Sequence, residues 1–182
     1  PESKPYMLMT LQCMEKFGIH VQVAHNLLEF TIKPQPYRAV AYHIEGDWSS
    51  ASCLLALGAV AGEITVNNLC TSSLQADREI AGFLQQMGAR VEIGQRSITV
   101  KRFALKGITA DLSDCIDLLP AMAALAAVAE GVSELKGIGR ARIKESDRVE
   151  AMATGLRDLG IDVRVSENSM QIIGGKPGRA VI

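Results

Sequence analysis

Three segments of this chain close in the same way: CMEKFGIHVQV, FLQQMGARVEI and GLRDLGIDVRV. Each ends an amphipathic helix pattern with a glycine and then alternates apolar residues. The glycine is the expected helix C-cap, because only glycine enters the left-handed region without a Cβ clash. The period-2 runs that follow (Ile19, Val21, Val23; Val91, Ile93; Ile161, Val163, Val165) predict strands. Gly18 and Gly88 lie 70 residues apart, and Gly88 and Gly160 lie 72 apart. Recurrence at that spacing marks one supersecondary unit used repeatedly, which restricts the fold to stacked copies of it.

The upstream halves agree. GDWSSASCLLALGAVAGEITVNN and SDCIDLLPAMAALAAVAEGVSELKG each predict a helix apolar on nearly every face, a glycine and a short strand. Gly62 and Gly131 fill the same slot, and Asp47 or Ser49 is placed to cap the first of these helices. A helix apolar all round is buried on all sides. The unit is therefore strand, buried helix, strand, amphipathic helix, strand, strand, an α/β fold with complete copies over about 40–103 and 107–174. Helices at 49–61 and 117–130 should pack together inside, so that each large side chain removed from them costs about 2–5 kcal/mol. Residues 1–33 hold only the second half of a copy, and KPQPYR after them reads as a linker. Half a unit cannot bury its own apolar face, so the sequence reads as part of a longer protein.

Charge narrows the possible partners. The formal net charge of −1 gives no global attraction to nucleic acid or anionic lipid, so any basic site must be local. The longest apolar runs, 51–61 and 118–129, fall short of the roughly 18 residues of a membrane span. No charged-then-apolar leader opens the chain. Cys13, Cys53, Cys70 and Cys115 form no C-x-x-C pair and read as free thiols in a reducing compartment. His20, His25 and His43 lack metal-ligand spacing. A soluble, cytoplasmic protein is expected.

One junction concentrates charge: RIKESDRVEAM, where a strand pattern gives way to a helix carrying Val149, Met152, Leu156 and Leu159 on one face. Ser146 or Asp147 suits the N-cap, and a solvated, capped helix start would explain the charges. The alternative is an anion site, since Lys136, Arg140, Arg142, Lys144 and Arg148 crowd towards a helix N-terminus whose N–H groups face outward. Glu145 among them would be held ionised, or poised as an acid. Asp117, opening an otherwise apolar helix ahead of Pro120, is either a helix cap or a carboxylate partnered by a lysine such as Lys144.

SKPYMLMT, IEGDWSSAS, DCIDLLPAMAALAAVAEG and above all RIKESDRVEAM resemble the 3-phosphoshikimate 1-carboxyvinyltransferase family, the 5-enolpyruvylshikimate-3-phosphate synthases, along essentially the whole chain. The resemblance implies a fold of two similar lobes, each an inside-out α/β barrel of three β-α-β-α-β-β units packed helix-inward. It assigns 1–39 to the second half of a unit from the other lobe plus a crossover, and 40–182 to two units of the second lobe. It implies transfer of the enolpyruvyl group of phosphoenolpyruvate to the 5-hydroxyl of shikimate 3-phosphate in aromatic amino-acid biosynthesis, by addition and elimination, without cofactor or metal. Carboxylates paired with cations suit such proton transfers.

By that resemblance Asp117 falls on the proton acceptor near the 5-hydroxyl, and Lys144 on a lysine that binds shikimate 3-phosphate. Glu145 falls on a glutamate that moves a proton at the phosphoenolpyruvate methylene, and Arg148 on an arginine that binds phosphoenolpyruvate. Ser3 and Tyr6 fall on residues of the shikimate phosphate pocket. Arg140 stands where some members carry an asparagine that touches this substrate. The family's early Lys-Ser segment, its Ser-Ser-Gln stretch ahead of SKPY and its later D-H-R motif have no counterpart here, so the chain alone is expected to be inactive. The full-length parent is expected to be a cytoplasmic monomer working on small molecules, without nucleic acid or membrane.

Three alternatives stand beside this reading. The sister transferase acting on UDP-N-acetylglucosamine shares the fold, but SKPY and KESDR favour shikimate 3-phosphate. Cys115, two residues before Asp117, does not match that enzyme's reactive cysteine. A nucleic-acid-binding α/β module would use the basic run at 136–148, against an aromatic content of 4%. A non-catalytic scaffold is the third.

Overall fold

A computed structural model of the chain describes residues 3–179. Helix α1 (Lys4–Lys16) begins with a proline in its first turn, where a missing N–H costs nothing. It ends before Gly18, whose φ of +81° meets the C-cap expectation. A hairpin follows, β1 (Val21–Val23) antiparallel to β2 (Phe30–Ile32). Among residues 3–39 only Ile19 is buried, and Met7, Leu11, Met14, Val21 and Ile32 line an open apolar cleft. This segment does not bury its own apolar face.

The next elements are α2 (Trp48–Ala61), β3 (Glu63–Asn67), a 3-10 turn at Ala76–Glu79, α3 (Ile80–Gln86), β4 (Arg90–Ile93) and β5 (Ser97–Lys101). Their sheet runs β3-β5-β4, antiparallel throughout. The order then recurs: β6 (Thr109–Asp111), a 3-10 turn at Ile116–Leu118, α4 (Leu119–Val128), β7 (Val132–Lys136), a 3-10 turn at Gly139–Ile143, α5 (Arg148–Asp158), β8 (Asp162–Val165) and β9 (Ser169–Ile173). This sheet runs β6-β7-β9-β8, with β6 parallel to β7 and the other pairs antiparallel. Gly88 and Gly160 have φ of +93° and +81°, so they end α3 and α5 as Gly18 ends α1.

The two copies differ at their first strand. The expected strand near residue 40 is absent, and the outer edge of β3 has no strand beside it among the described residues. Local contacts divert the chain instead: the Arg38 N–H donates to Phe17 O, and Tyr42 packs on the Phe17 ring at 5.9 Å. Gly62 and Gly131 also differ despite their shared slot. Gly131 is left-handed at φ +90°, whereas Gly62 is extended at 179°, where any residue fits. The expected helix over 117–130 opens as a 3-10 turn and is α-helical only from Leu119 to Val128.

Asp47 caps α2 by accepting from the N–H groups of Ser49 and Ser50. Trp48, Ala51, Leu55 and Ala59 of α2 and Leu119, Met122 and Leu125 of α4 are buried in one core, in which α2 packs on α4 and on β3 and β5. Burial all round was expected and is only half met. Leu54 and Leu57 are 49% and 53% exposed, and Leu57 lines an apolar groove with Val60, Pro120 and Ala124. The 2–5 kcal/mol expected per large side chain therefore applies to the inward stripe alone. Among the described residues no helix is long and apolar enough to cross a membrane.

Candidate active site

The 3-10 turn before α4 presents Asp117 to the loop that leads into α5. Asp117 Oδ1 accepts from Arg148 Nη1 at 2.6 Å and from Lys144 Nζ at 3.3 Å, and Oδ2 accepts from the Tyr6 hydroxyl at 3.4 Å. The side chains of Asp117, Lys144 and Arg148 are 27%, 31% and 25% exposed, which leaves them half-buried. Glu145, exposed, takes both Arg148 Nε (3.0 Å) and Nη2 (2.7 Å) on Oε1. One guanidinium thus bridges two carboxylates through charge-assisted hydrogen bonds.

The other cations do not join this cluster. Lys136 pairs with Glu134 on β7. Arg142 Nη1 reaches Asp147 Oδ2 at 3.1 Å, so Asp147 braces Arg142. Asp147 is also the N-cap of α5, accepting from Glu150 N–H at 2.9 Å. Arg148 is the first residue of that helix. Arg140 Nη2 donates to Ser3 Oγ at 2.8 Å, which ties the start of α1 to the second sheet's turn beside Tyr6. The charge-dense junction is thus both a capped helix start and a carboxylate–cation cluster.

Electrostatics separate the roles. Burial pushes the Asp117 carboxyl up, but Arg148 and then Lys144 outweigh it and hold it below the usual carboxylate range. Glu145 is also held low, first by its own backbone N–H and then by Arg148. Burial, followed by the charges of Asp77 and Asp117, pushes the Tyr6 phenol up, so it is a neutral donor. Burial raises the Cys115 thiol to about 12, and a reactive thiolate is not formed there at neutral pH.

A carboxyl held low stabilises the fold above its unfolded pKa, and that contribution is lost as pH falls through its folded value. In Arg148→Met one counterweight is gone and Lys144 still opposes burial. The Asp117 midpoint should rise, and the stability that Asp117 gives up as pH falls should shrink. Carboxyl 13C NMR titration with thermal melts across the acid range checks this, and an unmoved midpoint would contradict it.

Sequence reasoning passed over Asp77, which lies in the 3-10 turn against the Asp117 turn and the start of α2. A signal existed: Asp77-Arg78 and Asp147-Arg148 are the same pair at the start of the two amphipathic helices.

Residues 1–181 match the family described as EPSP synthase (3-phosphoshikimate 1-carboxyvinyltransferase). A 3-phosphoshikimate 1-carboxyvinyltransferase of Dehalococcoides mccartyi is 48% identical over 182 residues, covering all of this chain and 43% of that protein. One from Pyrococcus abyssi is 43% identical over 178 residues, covering 97% of this chain and 42% of that protein. Among solved structures, an EPSP synthase from Acinetobacter baumannii superposes with a TM-score of 0.75 at 27% identity, over 90% of this chain and 39% of that one. The enolpyruvyl transferase NikO from Streptomyces tendae, at 16% identity and a TM-score of 0.69, shares the fold over 94% of this chain and 40% of its own. The chain spans less than half the length of these relatives.

Proposed function

Because the chain belongs to the EPSP synthase family, we propose that the Asp117 cluster is part of a site that transfers the enolpyruvyl group of phosphoenolpyruvate to the 5-hydroxyl of shikimate 3-phosphate. One observation carries this reading: Lys144 and Arg148 both bond a single oxygen of Asp117, beside a glutamate that shares the same arginine. An ionised, cation-held carboxylate is what a proton acceptor needs, and cations beside it suit two anionic substrates.

In the addition step Asp117 takes the 5-hydroxyl proton as the oxygen bonds to C2 of phosphoenolpyruvate and the methylene gains a proton. In the elimination a methyl proton leaves and phosphate departs. Glu145, ionised against Arg148, fits acceptance of that methyl proton. For the donor role in the addition it must first take a proton from solvent as Arg148 turns to the substrate phosphate or carboxylate, and the elimination returns that proton to it. Lys144 holds shikimate 3-phosphate next to Asp117, while Ser3, Tyr6 and Arg140 border its phosphate pocket.

Residues 1–39 are read as part of one lobe and the crossover, and 40–182 as two units of the other, which sets the site between lobes. The remaining length that the relatives carry supplies the rest of the site, so the chain alone is inactive. The parent is read as a cytoplasmic monomer without nucleic-acid or membrane partners.

The test is calorimetric titration of shikimate 3-phosphate into the full-length parent. Lys144→Met should weaken binding by roughly tenfold or more, the worth of one charge-assisted hydrogen bond, and UDP-N-acetylglucosamine should give no heat. Unchanged affinity in Lys144→Met would remove Lys144 from the site.

A further inference from the structure

Asp77 is a buried carboxyl that the proposed reaction has not used. Only 1% of the residue is exposed. Its Oδ2 accepts from Ser49 Oγ at 2.5 Å, while Oδ1 meets no hydrogen-bond partner among the described residues. No lysine or arginine of the described residues pairs with it. Buried polar oxygens are nearly always satisfied, and a buried charge without a partner is costlier still. An acid kept in that position needs a reason, and its place in the fold supplies one. The turn at Ala76–Glu79 packs both on the first turn of α2 and on the turn at Ile116–Leu118 that presents Asp117.

We propose that Asp77 is a positioning residue for Asp117: a second carboxyl, packed beside the first and kept uncharged, so that Asp117 alone carries negative charge at that point of the site. The proposal rests on reading Asp117 as the base. Two nearby carboxyls do not ionise independently, and environments that drive them apart separate their roles. The groups that face Asp77 are Ser49 and Asp47 from α2, Tyr6 from α1, Cys115 and Asp117 from the turn before α4, and Lys144 from the loop before α5. Burial raises Asp77 most, Asp117 and Asp47 raise it further, and only Ser49 and Lys144 oppose them. Asp117 is held low by Arg148 and Lys144, so the pair divides. Were Asp77 ionised, it would compete for Lys144, lift Asp117 and repel an anionic substrate.

The experiment is a carboxyl 13C NMR titration of the wild-type chain and of Asp77→Asn, with thermal melts over the same pH range. In the wild type the Asp77 resonance should move only above the usual carboxylate range, and Asp117 should show its main step below that range and a small second inflection as Asp77 ionises. Asp77→Asn should erase the second inflection and keep the first. A folded pKa above the unfolded one means stability is lost as pH rises between the two values. Asp77→Asn should therefore match the wild type in acid and melt progressively higher as pH rises past the usual carboxylate range. Asp77 ionising within or below that range would overturn the proposal, and the wild-type titration alone decides this if the variant does not fold. An Asp117→Asn parent that still turns over would instead defeat the reading of Asp117 as base, and that outcome has no bearing on the titration of Asp77 in the wild type.

Discussion

Trp48→Ala destabilises the chain by about 3–5 kcal/mol, the largest loss expected from any single side chain in the structure. Trp48 is the first residue of α2 and is 1% exposed. Its indole Nε1–H donates to Cys70 O at 3.2 Å, and its backbone N–H donates to Gln75 Oε1 at 2.8 Å. The Gln75 amide nitrogen in turn donates to Glu45 Oε1 and Gly46 O. Truncation opens a cavity where α2 meets the loop from Cys70 to Gln75 and leaves the Cys70 carbonyl without its donor. For a chain of this length the melting temperature should fall by roughly 10 °C. Trp48→Phe keeps most of the volume and loses mainly the indole bond, so its loss should be well under half as large. Chemical denaturation of the two variants measures both, and equal losses would show that the hydrogen bond outweighs packing here.

The helix ends at Gly18, Gly88 and Gly160 were readable because a left-handed C-cap is a local requirement, and the strands after them because alternation is local too. Non-local decisions were not readable. Val40, Tyr42 and Ile44 alternate like a strand, yet Phe17 and the bond from Arg38 hold that segment off the edge of β3. The exposed stripe through Leu54 and Leu57 looked buried because apolarity records what a helix is able to face, not what is beside it.

The site divides in the same way. Lys144, Glu145 and Arg148 were legible as a charge cluster within one stretch of sequence, and Asp117 as an acid opening an apolar helix. Their sorting was not: proximity in sequence placed Lys136 and Arg142 with them, whereas side-chain direction gives those two to Glu134 and Asp147. Asp77 stayed hidden because Ala-Asp-Arg-Glu reads as a solvated turn. Its burial arises from the packing of two turns about 40 residues apart, which no local pattern encodes.

On the proposed reading, Asp117 is the base that the cluster holds. In the full-length parent, Asp117→Asn should lower turnover roughly 10²–10⁴-fold, the range that a positioned general base contributes. Asparagine keeps the shape and a polar contact to the Tyr6 hydroxyl but does not take a proton. It also frees Lys144 and Arg148 from a neutralising charge, so shikimate 3-phosphate should bind as well as in the wild type or better. A residue acting only in the transition state lowers kcat without a matching loss of substrate affinity, whereas a structural cap would lower both with the fold. The deciding measurement is single-turnover phosphate release by the Asp117→Asn parent saturated with both substrates, alongside calorimetric affinity for shikimate 3-phosphate. The predicted result is phosphate release slowed at least a hundredfold at retained affinity; release at the wild-type rate, or affinity lost in step with rate, would contradict it.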